Sequence, residues 1–261
     1  MLIDTHAHIN FDSYAEDREE MFSRALDAGV DTIVCVGMLP AGGEEALALA
    51  RQYPGRVLAS VGCHPYDAAL LDEATLAAMD ALLAEPEMVL VGEMGIDTVK
   101  ADVPIDVQQA AFARQLELAV SHDLPVCIHS REAFSLCAEV IRSVCPDGWK
   151  GFAHCFSDGV EEALGWRDLG FVISFAGQIT FKNKSCEPIR DAARELSPED
   201  VVVETDCPFL APTPHRGRRN EPAYVLETAR KLAELWDLPE EDVFRRTSAT
   251  ARRVLGLPDP G

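Results

Sequence analysis

The chain has 261 residues, 48% of them apolar, a length and core content that suit one α/β barrel. A net charge of −21 repels phosphate backbones and disfavours broad, non-specific binding to duplex nucleic acid, although bound divalent ions and a local basic loop could still make one positive hole. No stretch is apolar enough to span a bilayer, and Asp4 and His6 stand where a secretory leader would need positive charge and an apolar run. The expectation is a soluble cytoplasmic protein with no membrane partner and no evident need for a partner protein.

The chain opens with a short apolar run that leads into His6-Ala7-His8. Along a strand the side chains alternate faces, so His6 and His8 project to one side, with Leu2 and Asp4 sharing their parity. Two imidazoles placed this way can hold one metal ion. Seven further β-like segments follow Leu2–Asp4: Thr32–Val36, Val57–Val61, Met88–Gly92, Val126–Ile128, Gly151–Ala153, Phe171–Ser174 and Val201–Val203. Most are continuous apolar runs, as parallel strands buried on both faces require.

Amphipathic helices with legible ends lie between them. Ala15–Ala28 stops at Gly29, Glu44–Gln52 before Pro54, Glu73–Ala84 before Pro86, and Val107–His122 just before Leu124-Pro125. Ser130 is placed to cap Arg131–Val144, which Pro146 closes. Gly159–Leu169, Glu187–Leu196, Pro222–Leu235 and Pro239–Leu255 complete the set. Strand-helix alternation argues a parallel sheet, and eight units argue a closed (β/α)8 TIM barrel, with residues 1–261 as a single domain. An open doubly wound sheet is the runner-up, but His6-Ala7-His8 occupies the place of its glycine-rich first turn.

The eight cysteines form no C-x-x-C pair, so a zinc ribbon or thioredoxin-like motif is not expected. Cys35, Cys63, Cys127, Cys155 and Cys207 fall in or just after β-like runs, where a reduced thiol packs as a small hydrophobe.

In such barrels the active site lies at the C-terminal ends of the strands. The first strand ends in His6 and His8, the third in His64, the fourth in Glu93, the fifth in His129, the sixth in His154 and the eighth in Asp206. Imidazoles and carboxylates are the ligand set of zinc, manganese or similar divalent ions, and six ligands suit two ions better than one. One ion is assigned to His6, His8 and Asp206, the other to His129 and His154, with Glu93 bridging both. A pair of ions about 3.5–4 Å apart would share a water that ionises near neutral pH, and Asp206 could relay its proton, so Glu93 and Asp206 are the expected catalytic groups.

At this point the chain resembles the TatD family of metal-dependent deoxyribonucleases, within the amidohydrolase-like superfamily. The matching stretches are Asp4–His8, Val61–Pro65, Val91–Asp97, Ile128–Ala133, His154–Ser157, Gly177–Phe181, Glu204–Pro212 and Arg216–Pro222. They run in order along nearly the whole chain. The resemblance implies a (β/α)8 fold, two divalent metal ions (zinc, magnesium or manganese) on the six ligands, and hydrolysis of DNA phosphodiesters from 3′ ends. Single-stranded nucleic-acid ends are thus the implied partner. Thr98 departs from the family's common Tyr, Cys207 and Phe209 from its Ala and Tyr, and Asp158 from its Gly. Thr98 in particular bears on substrate preference.

The resemblance also suggests that His64 contacts substrate phosphate, and it places Asn220 among the substrate-binding residues. Arg131 follows His129 closely enough to reach a phosphate. Arg216, Arg218 and Arg219 cluster beyond Asp206 as a candidate phosphate grip, with Lys182 and Lys184 at the same mouth. Glu204 and Asp4 read as partners that orient ligand histidines. His122, near a helix C-terminus, is expected to serve as a cap or as a partner of the helix dipole, and His215 is left open. Two other functions fit the pattern: a hydrolase of another ester or amide on the same site, and a non-catalytic binding protein that keeps metal for structure.

Overall fold

The computed structural model describes residues 1–258. Eight parallel strands follow one another around a nearly closed barrel: β1 (Leu2–Ala7), β2 (Val30–Met38), β3 (Val57–Gly62), β4 (Met88–Asp97), β5 (Val126–Arg131), β6 (Gly151–His154), β7 (Val172–Phe175) and β8 (Val201–Val203). The helices are α1 (Arg18–Asp27), α2 (Leu39–Gln52), α3 (Glu73–Leu83), α4 (Ile105–His122), α5 (Phe134–Val144), α6 (Val160–Asp168), α7 (Glu187–Glu195), α8 (Val225–Trp236) and α9 (Glu240–Leu255). The expected (β/α)8 barrel is the observed one, and the open-sheet alternative is set aside.

Two apolar layers hold it. Ile3, Val34, Val36, Leu90, Cys127, Phe152, Val172 and Val202, drawn from seven strands, fill the barrel interior. Ala251, Val254 and Leu255 of α9 join them from below, and Ser248 Oγ donates to the Met1 carbonyl, so α9 plugs the N-terminal end. The second, larger layer lies between strands and helices, where Trp166, Tyr14, Phe112 and Phe171 are fully or almost fully buried. All eight cysteines are free thiols, six of them buried.

β1 departs from simple alternation. Leu2 packs in the outer layer and Ile3 in the inner one, and the β1–β2 register shifts between Asp4 and Ala7. His6 and His8 face inward because of that irregularity, so the parity expected for Leu2 does not hold. β1 and β8 meet through a single parallel bridge, Ala7 to Cys207. Backbone bonds from His8 N to Cys207 O (2.8 Å) and from Asp206 N to His6 O (3.0 Å) complete the seam. The barrel therefore closes through the residues that carry its chemistry.

The helix expected over Arg131–Val144 starts later. Ser130 and Arg131 pair with Ile96 and Asp97 of β4, so β5 continues through them and α5 begins at Phe134. Ladder hydrogen bonds to a long neighbouring strand outweigh the local capping preference of Ser130. The Pro222 segment likewise opens as a short 3-10 turn before α8.

β4 carries the other irregularity, a register shift between Val91 and Met94 bounded by Gly92 and Gly95, both at positive φ. A Cβ on Gly95 would meet the His129 carbonyl oxygen at 2.0 Å. Gly95→Ala should therefore cost well over ~1 kcal/mol and displace His129, because both φ and the neighbouring strand forbid the methyl group. Gly148→Ala, also at positive φ but with nothing within 4 Å of its Cβ, should cost only about 1 kcal/mol. Chemical denaturation of the two variants checks the comparison, and equal losses would show that the β4–β5 approach is not what constrains Gly95.

Candidate metal centre

The strand ends converge on Glu93, which is buried between two sets of imidazoles. Its Oε2 lies 3.4 Å from His6 Nε2, while its Oε1 lies 2.9 Å from His129 Nδ1 and 3.4 Å from both His64 Nε2 and His154 Nε2. On the Oε2 side, His6 Nε2 and His8 Nε2 are 3.2 Å apart, and Asp206 Oδ1 is 3.8 and 3.6 Å from them. Donor atoms around a tetrahedral ion with bonds of about 2.0–2.2 Å are themselves about 3.3–3.6 Å apart, so the spacing fits a cation. Among the described residues no lysine or arginine forms an ion pair with Glu93 or Asp206, leaving imidazoles as their only protein counter-charges.

Each expected ligand histidine is held by its other nitrogen. His8 Nδ1 is 3.1 Å from the Val36 carbonyl, which can only accept, so the proton sits on Nδ1 and Nε2 is left as a lone pair. His6 Nδ1 meets the Cys127 thiol at 3.3 Å, and its ring stacks on His154 at 3.6 Å. His129 Nε2 faces Asp97 Oδ2 at 3.1 Å. His154 Nδ1 lies 2.8 Å from Glu204 Oε1, an ion-pair distance although off the axis of the ring N–H. Such outer partners fix ring orientation and raise ligand basicity.

His64 differs in kind. Its Nδ1 accepts from the Tyr66 backbone N–H at 3.2 Å, so the proton of the neutral ring belongs on Nε2, which faces the site as a donor. A ring in that state suits an anionic substrate oxygen better than a metal.

A model of TatD-related DNases matches residues 3–256 of the chain. The chain belongs to this family. The metal-dependent hydrolase YabD of Bacillus subtilis, whose activity is uncharacterized, is 36% identical over 257 residues, covering 98% of this chain and all of YabD. The 3′-5′ ssDNA/RNA exonuclease TatD of Erwinia tasmaniensis is 29% identical over 260 residues, covering 98% of this chain and all of that protein. The crystal structure of YJJV, a TatD homolog from Escherichia coli, superposes with a TM-score of 0.92 at 28% identity over 98% of each chain. This chain is thus a metal-dependent hydrolase of the TatD family, which sets aside a purely structural metal.

Family TatD residues outside the ligand set fall where the sequence led in some cases only. Glu204 lies against His154, and it also accepts from Cys155 N (2.9 Å) and Ser174 Oγ. Asp4 orients no imidazole ring. Its carboxylate accepts from Thr205 N (2.9 Å), Thr205 Oγ1 (2.6 Å) and His6 N (3.3 Å), tying β1 to the segment that carries Asp206. Arg131 lines the cleft.

Asn220 does not reach the cleft. It is fully buried, its Nδ2 donating to the Thr205 and Phe209 carbonyls at 2.9 and 2.6 Å and its Oδ1 accepting from Glu221 N at 2.9 Å. Arg216 lies 3.7 Å over the Phe181 ring and donates to the Ala211 carbonyl, and Arg219 grips Asp17 and stacks on Tyr14. These two arginines brace the loop, and Lys182 borders a separate depression with Thr213 and Glu227. His122 Nε2 pairs with Asp80 of α3 at 2.7 Å, and His215 stacks on Tyr224 at 3.7 Å.

Asp97 was not anticipated as a functional residue. It is buried, it holds His129, and its Oδ1 accepts from the backbone of Val99 and Lys100 at 2.8 and 2.7 Å. The strand-end criterion that selects Glu93 would have selected Asp97 too, had β4 been recognised as running that far. Tyr66 and Lys100, which line the open cleft of about 540 Å³, carry no motif signal at all.

The electrostatics describe a site that holds protons where it can hold metal. Burial alone would raise Glu93, but His154, His129, His6 and His64 hold it well below the usual carboxylate range. Burial depresses His6 strongly and His8 to about 4, keeping both neutral. Against burial, Glu204 and Glu93 push His154 up to about 10, while burial, aided by Glu93 and Glu204, pushes Asp206 up to about 8. At pH 7 both carry a proton that a metal ion must displace. Metal loading should therefore release at least two protons per chain near pH 7, fewer above pH 8 once Asp206 is already ionised, and fewer again above pH 10. Metal affinity should rise with pH over the same range. Calorimetry in buffers of different protonation enthalpy measures the count, and zero release at pH 7 would refute this charge balance.

Proposed function

We propose that this TatD-family hydrolase is a two-metal exonuclease that removes nucleotides from the 3′ ends of single-stranded DNA. The observation that carries the reading is the division of Glu93, one oxygen toward His6 and the other toward His129 and His154. A carboxylate in that position can serve two cations at once. Relatives named as 3′-5′ ssDNA/RNA exonucleases, matched over their whole length, support the substrate class.

His6, His8 and Asp206 would hold one ion and His129 and His154 the other, with Glu93 shared. Two bound divalent ions would supply an ionised water at neutral pH and positive charge for the phosphoryl oxygens. The chain's own groups do the rest. His64, with its proton on Nε2, donates to a phosphate oxygen, and Arg131 at the cleft wall neutralises a second one. Asp206, largely buried beside His6 and His8, takes the proton lost by the nucleophile, since a carboxylate that gives one oxygen to a metal ion keeps a second oxygen free to accept. Asp97 and Glu204 keep His129 and His154 from rotating.

The test is hydrolysis of oligonucleotides labelled at either end, with and without chelator, beside a panel of carboxylic esters, lactones and amides. Metal-dependent shortening from the 3′ end is expected. Turnover of an ester or amide without oligonucleotide cleavage would replace the nuclease reading with that of a different hydrolase. Glu93→Gln keeps the shape of the side chain and removes its charge. It should retain the ion on His6, His8 and Asp206, lose occupancy of the second, and slow turnover by roughly several orders of magnitude. Two ions per chain with near-normal turnover would sink the bridging role.

A further inference from the structure

Six large apolar side chains are strongly exposed among the described residues, and four of them follow strands at the mouth of the barrel: Tyr66, Leu70, Val99 and Phe209. Tyr66 (44% exposed) and Phe209 (52% exposed) line the cleft itself. Neither is loose. The edge of Tyr66 packs on His64 at 4.2 Å, and its hydroxyl donates to Asp97 Oδ2 at 3.1 Å. Phe209 meets Phe11 edge-to-face at 6.3 Å, and Phe11 stacks on His8 at 4.8 Å. The backbone of Phe209 is pinned at both ends, its N–H on the Asp206 carbonyl and its carbonyl on Asn220 Nδ2.

The two rings flank the centre. Phe209 stands beside His8, on the Oε2 side of Glu93, and Tyr66 beside His64, on the Oε1 side. Rigid aromatic faces held in water on either side of a reaction centre have unfavourable exposure unless a ligand covers them. The cleft is also poor in positive charge. Of 23 lysines and arginines only Lys100 and Arg131 line it, in a chain of net charge −21. Beyond the phosphate held at the metal centre the cleft offers few cations to the backbone, so further affinity for a nucleic acid must come mainly from its bases.

We infer that Phe209, backed by Phe11, and Tyr66 are stacking platforms for the two unpaired bases that flank the scissile phosphate. This rests on the nuclease reading and adds how the strand is chosen. At a duplex end only the outer face of the last base is free, and pairing holds the last two bases stacked on each other, so they cannot be parted over two rings. Two splayed bases at a single-stranded end can reach both, whatever their sequence, because every base has a π-face. The cleft thus selects unpaired ends by stacking, with little dependence on sequence or salt.

The experiment uses the metal-loaded protein and single-stranded DNA oligonucleotides whose last or penultimate 3′ nucleotide is intact or abasic. Wild-type kcat/KM should fall by about tenfold for an abasic residue at either position, within the range of base–aromatic stacking. Phe209→Ala and Tyr66→Ala should each raise KM about tenfold on the intact strand, with kcat and metal content kept. Each should also lose the penalty for an abasic residue at one position only. Phe209→Trp and Tyr66→Phe should restore wild-type discrimination. Equal losses on intact and abasic strands would mean that the rings merely support the metal ligands, and would overturn the inference. Cleavage by the wild type without base discrimination would overturn it while leaving the nuclease reading intact. No cleavage of any oligonucleotide, with metal bound, would overturn both.

Discussion

Glu93 is a carboxylate held out of water, and the mouth of the barrel is arranged around keeping it charged. Burial opposes ionisation, and four imidazoles from β1, β5, β6 and the end of β3 offset that cost. The imidazoles are themselves fixed from behind by groups deeper in the protein: the Val36 carbonyl, the Cys127 thiol, Asp97 and Glu204. Removing any one partner leaves a buried polar atom without compensation, which is why the cluster acts as a unit. The same arrangement makes it a cation trap. With no lysine or arginine paired to Glu93 or Asp206 among the described residues, the residual negative charge is met by protons or by metal ions.

The barrel and the convergence of its chemistry were legible in the sequence because both follow from period and position. Eight apolar runs separated by helical ones admit few architectures, and residues at the strand ends of a barrel must meet. What the sequence could not convey is where the ladder bends. The shift in β1 between Asp4 and Ala7 reverses the parity that simple alternation assigns to Leu2 and Asp4, and so redirects Asp4 from a histidine ring to Thr205. The length of β4 hid Asp97, and pairing with β4 drew Ser130 and Arg131 into a strand where local chemistry favoured a helix cap. Tertiary pairing overrode local preference in each case.

Charge clusters were the least readable feature. Arg216, Arg218 and Arg219 stand together in the sequence beside Asp206, yet Arg219 is spent on Asp17 and Tyr14 and Arg216 on Phe181 and Ala211. Arg24 and Glu221 extend the Asp17 pairing, so the loop after β8 is fastened to α1. An arginine that braces a loop and one that grips a phosphate have the same neighbours in sequence, and only the fold separates them. The loop needs bracing because Asp206, Cys207 and Phe209 ride on it. Asn220, buried beneath, serves the same end through two carbonyls of that segment.

Backbone strain is distributed in the same way. Five residues other than glycine at positive φ lie just beyond strand ends: Leu39 after β2, Glu132 after β5, Cys155 after β6, and Asp206 and Leu210 after β8. Each such conformation costs about 1–3 kcal/mol and persists only where the surroundings dictate it. Among the described residues only two others adopt it, Asp123 and Asp237, which end α4 and α8 as left-handed caps. At the opposite end of the barrel α9 packs Ala251, Val254 and Leu255 against the interior strands in ordinary helical geometry. Stability is thus supplied at the closed end and in the outer layer, and spent at the open end on holding buried carboxylates, aligned imidazoles and exposed rings. A ligand set that must stay aligned before substrate arrives cannot relax into the lowest-energy turns. The strained turns after β6 and β8, which place His154 and Asp206, are the local cost of that alignment.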